Sequence, residues 1–317
     1  MLQRISTAFV ITLVMVAAGC GGGGPSPTSP SSPTPPSNPT TASSVVPQFA
    51  HVFLVVEENH SFRDVVGNPQ MPYFNSLITA GGLATQYFAN AHPSLPNYFV
   101  LTTGALITYD DNFQGTVSEN NVVRALVTAG KSWKCYAESL PSAAYMGGDT
   151  GAYLRHHVPF VYFSDLQNDP AQAGNVVPFP QLASDLAGGS LPDYAFIVPD
   201  IYDDAHSCPG GAATCTDAQE LSAADSWLQT NLSPLIKSPQ FADSLMILTF
   251  DESETSDIQY GGGHIATVIV SSKAKPGYQS STIYQHQSTL RLSLKALGIT
   301  DLPGAAATAP DMGEFFK

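Results

Sequence analysis

Two strand-length runs, FLVV at 53–56 and LMILTF at 245–250, are apolar but for Thr249. Runs without polar alternation belong to strands covered on both faces, the situation of a mostly parallel sheet. Each run ends in oxygen-bearing side chains. The first delivers Glu57, Glu58 and Asn59, and the second delivers Asp251 and Glu252. Open α/β sheets build their sites at the carboxyl ends of their strands. A single acid there is usually solvated, but two such groups repel each other unless a cation neutralises them. Carboxylate and amide oxygens suit a hard or borderline divalent metal ion, so Glu58, Asn59, Asp251 and Glu252 are candidate metal ligands.

Strand and helix patterns alternate along the rest of the chain. Strands are expected at 51–56, 83–89, 132–136, 194–198, 245–250 and 265–271. Helices are expected at 72–79, 98–103, 120–129, 217–230 and 288–297, several of them stopped by glycine, as at Gly81, Gly104, Gly130 and Gly298. This order predicts an α/β fold with a mostly parallel central sheet sandwiched between helices.

Between the acid-tipped strands lies AHPSLPNYF, with Ser94 flanked by Pro93 and Pro96. The prolines stiffen the turn, and Pro96 keeps Leu95 out of the α region. Ser94 therefore stands just before a helix, whose N-terminus favours an anion such as phosphate. A metal ion on its oxygen would make it a nucleophile at moderate pH. Taken alone, Ser94 is as well explained as a helix N-cap. A Ser-His-Asp hydrolase would want a Gly-x-Ser-x-Gly elbow, which is absent around Ser94. Among the histidines, His206 and His264 abut strand ends, and His206 has Asp200, Asp203 and Asp204 nearby. They are candidates to bind a second metal, to hydrogen-bond a phosphoryl oxygen or to protonate a leaving group. Gly261, Gly262 and Gly263 before His264 would let the backbone approach a ligand closely. Replacing Asp251 is expected to cost far more activity than replacing His286.

The first residues read as an export signal, with Arg4 followed by an apolar stretch at 9–16 that is too short for a transmembrane helix. Ala17, Ala18 and Gly19 before Cys20 resemble a bacterial lipobox, with Ala17 in place of the commoner leucine. That resemblance implies cleavage after residue 19 and lipidation of Cys20, giving an exported, lipid-anchored protein of the cell envelope. Residues 20–48 are nearly all Gly, Pro, Ser, Thr and Asn after the cysteine and read as a tether. Residues 49–317 are long enough for one large catalytic domain. With 26 Asp and Glu against 12 Lys and Arg, and no basic patch, nucleic acid is not an expected partner. Of the four cysteines, Cys208 and Cys215 flank a Gly- and Pro-containing loop that reads as disulfide-closed, leaving Cys135 as a buried free thiol.

Taken together, the motifs EENHSF, HPSLPNYFVLTTG, RHHVPFVYF, FDESE, GGGHI and YQHQSTLR resemble the bacterial phosphoesterase family of acid phosphatases and phospholipase C-like enzymes. That family's wider relatives are the alkaline-phosphatase-like metallohydrolases. The resemblance implies that Ser94 takes up the phosphoryl group and that Glu58, Asn59, Asp251, Glu252 and the Ser94 oxygen surround a divalent metal. It implies that His157, His206 and His264 hold the phosphate or assist the leaving group. His156 stands where a lysine is common and Val158 where an asparagine is common. Diesterases of the family usually carry arginine at the position of Tyr98, so the tyrosine resembles the monoesterase branch. The implied activity is hydrolysis of phosphate monoesters through a phosphoserine. The alternative is a phosphodiesterase or phospholipase C acting on phospholipid head groups.

Overall fold

Both acid-tipped runs form strands. β1 (His51–Glu57) and β6 (Ser244–Phe250) pair in parallel from His51↔Ser244 to Glu57↔Phe250. The protein is described by a computed structural model that covers residues 45–317. The signal segment 1–19, Cys20 and the tether up to residue 44 lie outside the described residues. The remaining strands are β2 (Gly82–Phe88), β3 (Trp133–Ala137), β4 (Val176–Pro178), β5 (Tyr194–Val198), β7 (His264–Val270) and β8 (Tyr278–Ser280). They join β1 and β6 in one sheet of eight strands, ordered β4-β3-β5-β1-β6-β7-β2-β8.

The sheet is mixed, so the expectation of a mostly parallel one holds in part: every pairing that does not involve β7 is parallel. β7 runs antiparallel to both its neighbours, β6 and β2. A parallel step needs a crossover, usually a helix. The connection from β6 to β7, residues 251–263, instead carries site residues and no α-helix, and the chain turns back. The loop therefore brings the start of β7, with His264, to the end of the sheet where β6 finishes.

Every residue of β6, and β1 from Val52 to Glu57, is buried. Each aliphatic side chain so covered contributes roughly 1.5–3 kcal/mol. The polar exception in the β6 run is satisfied across the sheet, where the Thr249 and Thr267 hydroxyls lie 2.7 Å apart. The longer helices are α1 (Pro72–Ala80), α2 (Ser94–Thr103), α3 (Val122–Thr128), α4 (Gln181–Gly188), α5 (Asp217–Ile236) and α6 (His286–Ala296). α2 and α3 pack on α6, while α1 packs on α5. Asp225 of α5 accepts from the Tyr73 and Phe74 backbone N–H groups of α1 at 2.9 and 2.8 Å. α2 begins at Ser94, four residues before the start expected from sequence, so Leu95 is helical despite the proline that follows it. Pro96 falls in its first turn, where a missing N–H costs no intrahelical bond.

Cys208 and Cys215 form a disulfide with Cα atoms 5.4 Å apart, and Cys135 is a buried free thiol on β3.

Candidate functional site

The carboxyl tips of β1 and β6 lie side by side, with the Asp251 N–H bonded to the Glu57 carbonyl at 2.9 Å. The chain then turns at Asn59, whose φ of 51° lies in the left-handed region that asparagine tolerates. The turn points the Asn59 N–H at Asp251 Oδ1, 3.4 Å away. α2 supplies the third wall. Ser94 Oγ donates to Glu58 Oε2 at 3.0 Å and lies 3.4 Å from Glu252 Oε1. Residues 58, 59, 94, 251 and 252, far apart in the chain, thus converge on one buried cluster of oxygens.

The electrostatics of this cluster follow from burial. Burial pushes Glu58 well above the usual carboxylate range, and the charges of Asp251 and Asp204 push it further. Asp251 is raised by burial and then by Glu252. Glu252 is raised by burial against the hydrogen bond from His92. Asn59 Oδ1 and Asp251 Oδ2 are buried without a hydrogen-bond partner. Close-set carboxyls, an amide oxygen and a serine oxygen, with acceptor positions left over, are a donor set that a hard divalent ion fits.

The surrounding side chains hold these ligands. Tyr98, one turn beyond Ser94, donates to Glu58 Oε1 at 2.6 Å and stacks on His157 with ring centres 5.2 Å apart. His157 is fully enclosed, with Nε2 3.3 Å from Glu58 and Nδ1 3.5 Å from Asp204. Burial, with the charge of His206, pushes its pKa down to about 3. His92 Nδ1 lies 2.7 Å from Glu252 Oε2, and its Nε2 lies 2.9 Å from the Asp257 carbonyl. Both ring nitrogens thus face oxygen atoms, and the bond to Glu252 raises the His92 pKa. His286 donates to the Asp251 carbonyl at 2.5 Å. It anchors the backbone of the residue against which it was ranked lower in the sequence.

The other two predicted histidines lie apart from the oxygen cluster. His206 is exposed, its ring centre 6.5 Å from that of His157, and its Nδ1 is 3.0 Å from the Ser207 hydroxyl. His264 donates to the Thr85 carbonyl at 3.0 Å and is stacked between Phe62 and Phe88, with centres 4.3 and 4.9 Å away. It lines a cavity of about 310 Å³ together with Ser61, Phe62, Arg63, Glu254 and Asp257. The triple glycine is accounted for by close packing within the protein. Gly261 and Gly262 pack on the backbone of Asn90 and Ala91, where any Cβ would collide with a carbonyl oxygen. Nor is the first turn of α2 open throughout, because Asp111 Oδ1 accepts the Leu95 N–H at 2.8 Å.

Sequence reading missed His92, Asn97 and Asp111. Asn97 Oδ1 accepts from the Asn90 and Ala91 N–H groups at 2.9 and 3.1 Å, which fixes the turn that presents Ser94. Its place inside HPSLPNY was the only signal. Asp111 carried none, since its partner lies across a loop.

The sequence profile of the Phosphoesterase family matches residues 67–299. The chain is 31% identical over 280 residues to a phosphatidylinositol-3-phosphatase of Mycobacterium tuberculosis, covering 87% of this chain and 85% of the relative. It is 34% identical over 216 residues to a phosphate-repressible acid phosphatase of Penicillium chrysogenum, covering 66% of this chain and 48% of the relative. A probable acid phosphatase of Kluyveromyces lactis is 29% identical, with 76% of this chain and 56% of the relative covered. The chain thus spans about half the length of these fungal relatives. Among solved structures, a protein in the alkaline phosphatase superfamily from Vibrio parahaemolyticus superposes with a TM-score of 0.58 at 14% identity, covering 81% of this chain and 68% of that one. The PsFucS1 sulfatase from Pseudoalteromonas gives 0.55 at 13% identity, with 85% and 74% covered. At these identities the structural likeness speaks for the fold alone.

Proposed function

The chain belongs to the Phosphoesterase family and is a phosphoric ester hydrolase, and we propose that it hydrolyses phosphate monoesters through a phosphoserine at Ser94. The observation that carries the reading is the Ser94 hydroxyl, 3.0 Å from Glu58 Oε2 at the edge of a buried cluster of acids. Glu58, Asn59, Asp251 and Glu252, with the serine oxygen, would hold one divalent ion. Such an ion supplies charge neutralisation for the phosphoryl oxygens and a lowered pKa for the serine hydroxyl.

The chain's own residues do the rest. Glu58 accepts the hydrogen bond of Ser94 Oγ and so aims a lone pair outward. The Oγ proton passes to Glu58 Oε2, which lies 3.0 Å away, as the Oγ–P bond forms and the P–O bond to the leaving group breaks in line. Tyr98 and His157 keep Glu58 in place, and His157 is the predicted histidine that touches the cluster. His206, at the rim, delivers a proton to the departing ester oxygen. Water then attacks the phosphoserine, giving a proton back to His206, while Glu58 returns its proton to Oγ as phosphate leaves and the hydroxyl is restored. We assign His264 to the wall of the neighbouring cavity, on the side of the ester's organic portion.

The names of the relatives, a phosphatidylinositol-3-phosphatase and acid phosphatases, support monoesters over the phospholipase C alternative. Export and lipid anchoring at Cys20 remain part of the proposal on the strength of residues 1–20. Among the described residues no helix is long and apolar enough to cross a membrane. The test is a panel of an aryl phosphate and a bis-aryl phosphodiester, with protein stripped by chelator and reloaded with single divalent ions. Restored turnover that favours the monoester, and loss of at least about a hundredfold in Asp251→Asn, are expected, since a metal-stabilised charge contributes several kcal/mol. Near-normal turnover by Asp251→Asn removes the metal-site assignment, and preference for the diester removes the monoesterase reading.

A further inference from the structure

β1 carries acids to both faces of the sheet. Glu58 turns towards α2, and its neighbour Glu57 turns the other way. Val55 of β1 and Tyr136 of β3 both pair with Ile197 of β5, so Glu57 and Glu138, each two residues further on, lie in one row. Residues in one row of parallel strands project to the same face. The loop after β5 adds Asp200 and Asp203, and one carboxylate oxygen from each of Glu138, Asp200 and Asp203 lies within 4.8 Å of the others.

Those three acids by themselves are a hydrogen-bonded loop. Glu138 Oε2 accepts the Asp200 N–H at 3.0 Å, and Asp200 accepts from Ser139 Oγ at 2.6 Å and from the Tyr202 N–H at 3.0 Å. Glu57 is different. It is wholly buried, and neither of its carboxyl oxygens has a hydrogen-bond partner. Among the described residues, no Lys, Arg or His forms an ion pair with Glu57, Glu138, Asp200 or Asp203. An unpaired buried carboxylate costs several kcal/mol. Close-set oxygens with spare acceptor capacity and no competing base match what calcium-class ions take, typically six to eight oxygens in a pliable shell.

We infer that Glu57, Glu138, Asp200 and Asp203 form a second site, structural rather than catalytic, for a hard divalent cation of the calcium class. The site ties the tips of β1 and β3 to the loop that carries Asp204 and His206. Its effect is to fix the wall of the catalytic pocket without touching substrate.

The full-length protein, stripped by chelator, is titrated with calcium chloride while Tm and bound calcium are followed, for wild type, Asp251→Asn and the double variant Glu138→Gln/Asp203→Asn made in the Asp251→Asn background, where the catalytic ion site is already disabled. Calcium uptake and a rise in Tm are expected in wild type and in Asp251→Asn alike, by mass action on the folded state. The double variant loses the rise, with apparent affinity weakened by at least about tenfold. In chelator its Tm equals or exceeds that of Asp251→Asn, because like charges have been removed. A second measurement needs no double variant: terbium luminescence displaced by calcium is expected in both wild type and Asp251→Asn. A calcium response that survives in the double variant, or a terbium and calcium response that disappears with Asp251→Asn, overturns the inference.

Discussion

At the scale of single residues, the site rests on partners that hold the ligand candidates still. Tyr98 is the sharpest case. Its hydroxyl caps one oxygen of Glu58 at 2.6 Å while Ser94 uses the other at 3.0 Å. Tyr98→Phe removes a hydrogen bond to a buried acid and keeps the ring that stacks on His157. The expected result is a fall in turnover of about tenfold, equivalent to about 1.4 kcal/mol, with little change in KM. Steady-state kinetics on an aryl phosphate check it, and unchanged turnover would show that Glu58 needs no such support. The acids themselves were legible, because they follow runs that are apolar but for Thr249. Their supports were less so, since nothing local marks His92 as the partner of Glu252 or His286 as the partner of the Asp251 carbonyl. Those contacts close over long sequence separations, and only the fold creates them.

At the scale of elements, strands whose pattern is self-sufficient were read within a residue or so. β5 was expected at 194–198 and is found there, and β1 and β6 each extend by one residue. β4 and β8 were missed because strands of three residues carry no periodicity. α5 runs on to Ile236 through Pro234, beyond its expected end near residue 230, because its last turns are held by packing rather than propensity. α4 was also missed, and a polar contact ties it to the sheet. Asp185 accepts from Lys134 Nζ at 2.6 Å and from Tyr136 Oη at 2.7 Å, both on β3. Burial alone would raise this carboxyl, but hydrogen bonds from Lys134, Tyr136 and Gln181 outweigh it and hold the pKa below the usual range. A depressed folded-state pKa contributes stability fully above the unfolded value, near 3.9, and loses it as pH falls through the folded value. The drop in Tm between about pH 5 and about pH 3 is therefore expected to be smaller in Asp185→Asn than in wild type. Calorimetry at the two pH values decides it, and identical drops would show that the contact carries no pH-linked stability.

At the scale of the whole molecule, the α/β class was legible because strand and helix patterns alternate. The direction of β7 was not, since the segment 251–263 is long enough either to cross over or to turn back. That reversal matters for function, because it sets β7 and the glycine loop beside the Ser94 turn. The central claim is that residues 58–59, 94 and 251–252 act as one site in which Ser94 carries the phosphoryl group. Acid quenching during turnover of an aryl phosphate, followed by peptide mass spectrometry, tests it directly. The account predicts one phosphoryl group on the peptide that contains Ser94, absent from Ser94→Ala, which also loses turnover. Sustained turnover by Ser94→Ala, or rapid wild-type turnover with no label on that peptide, would contradict it.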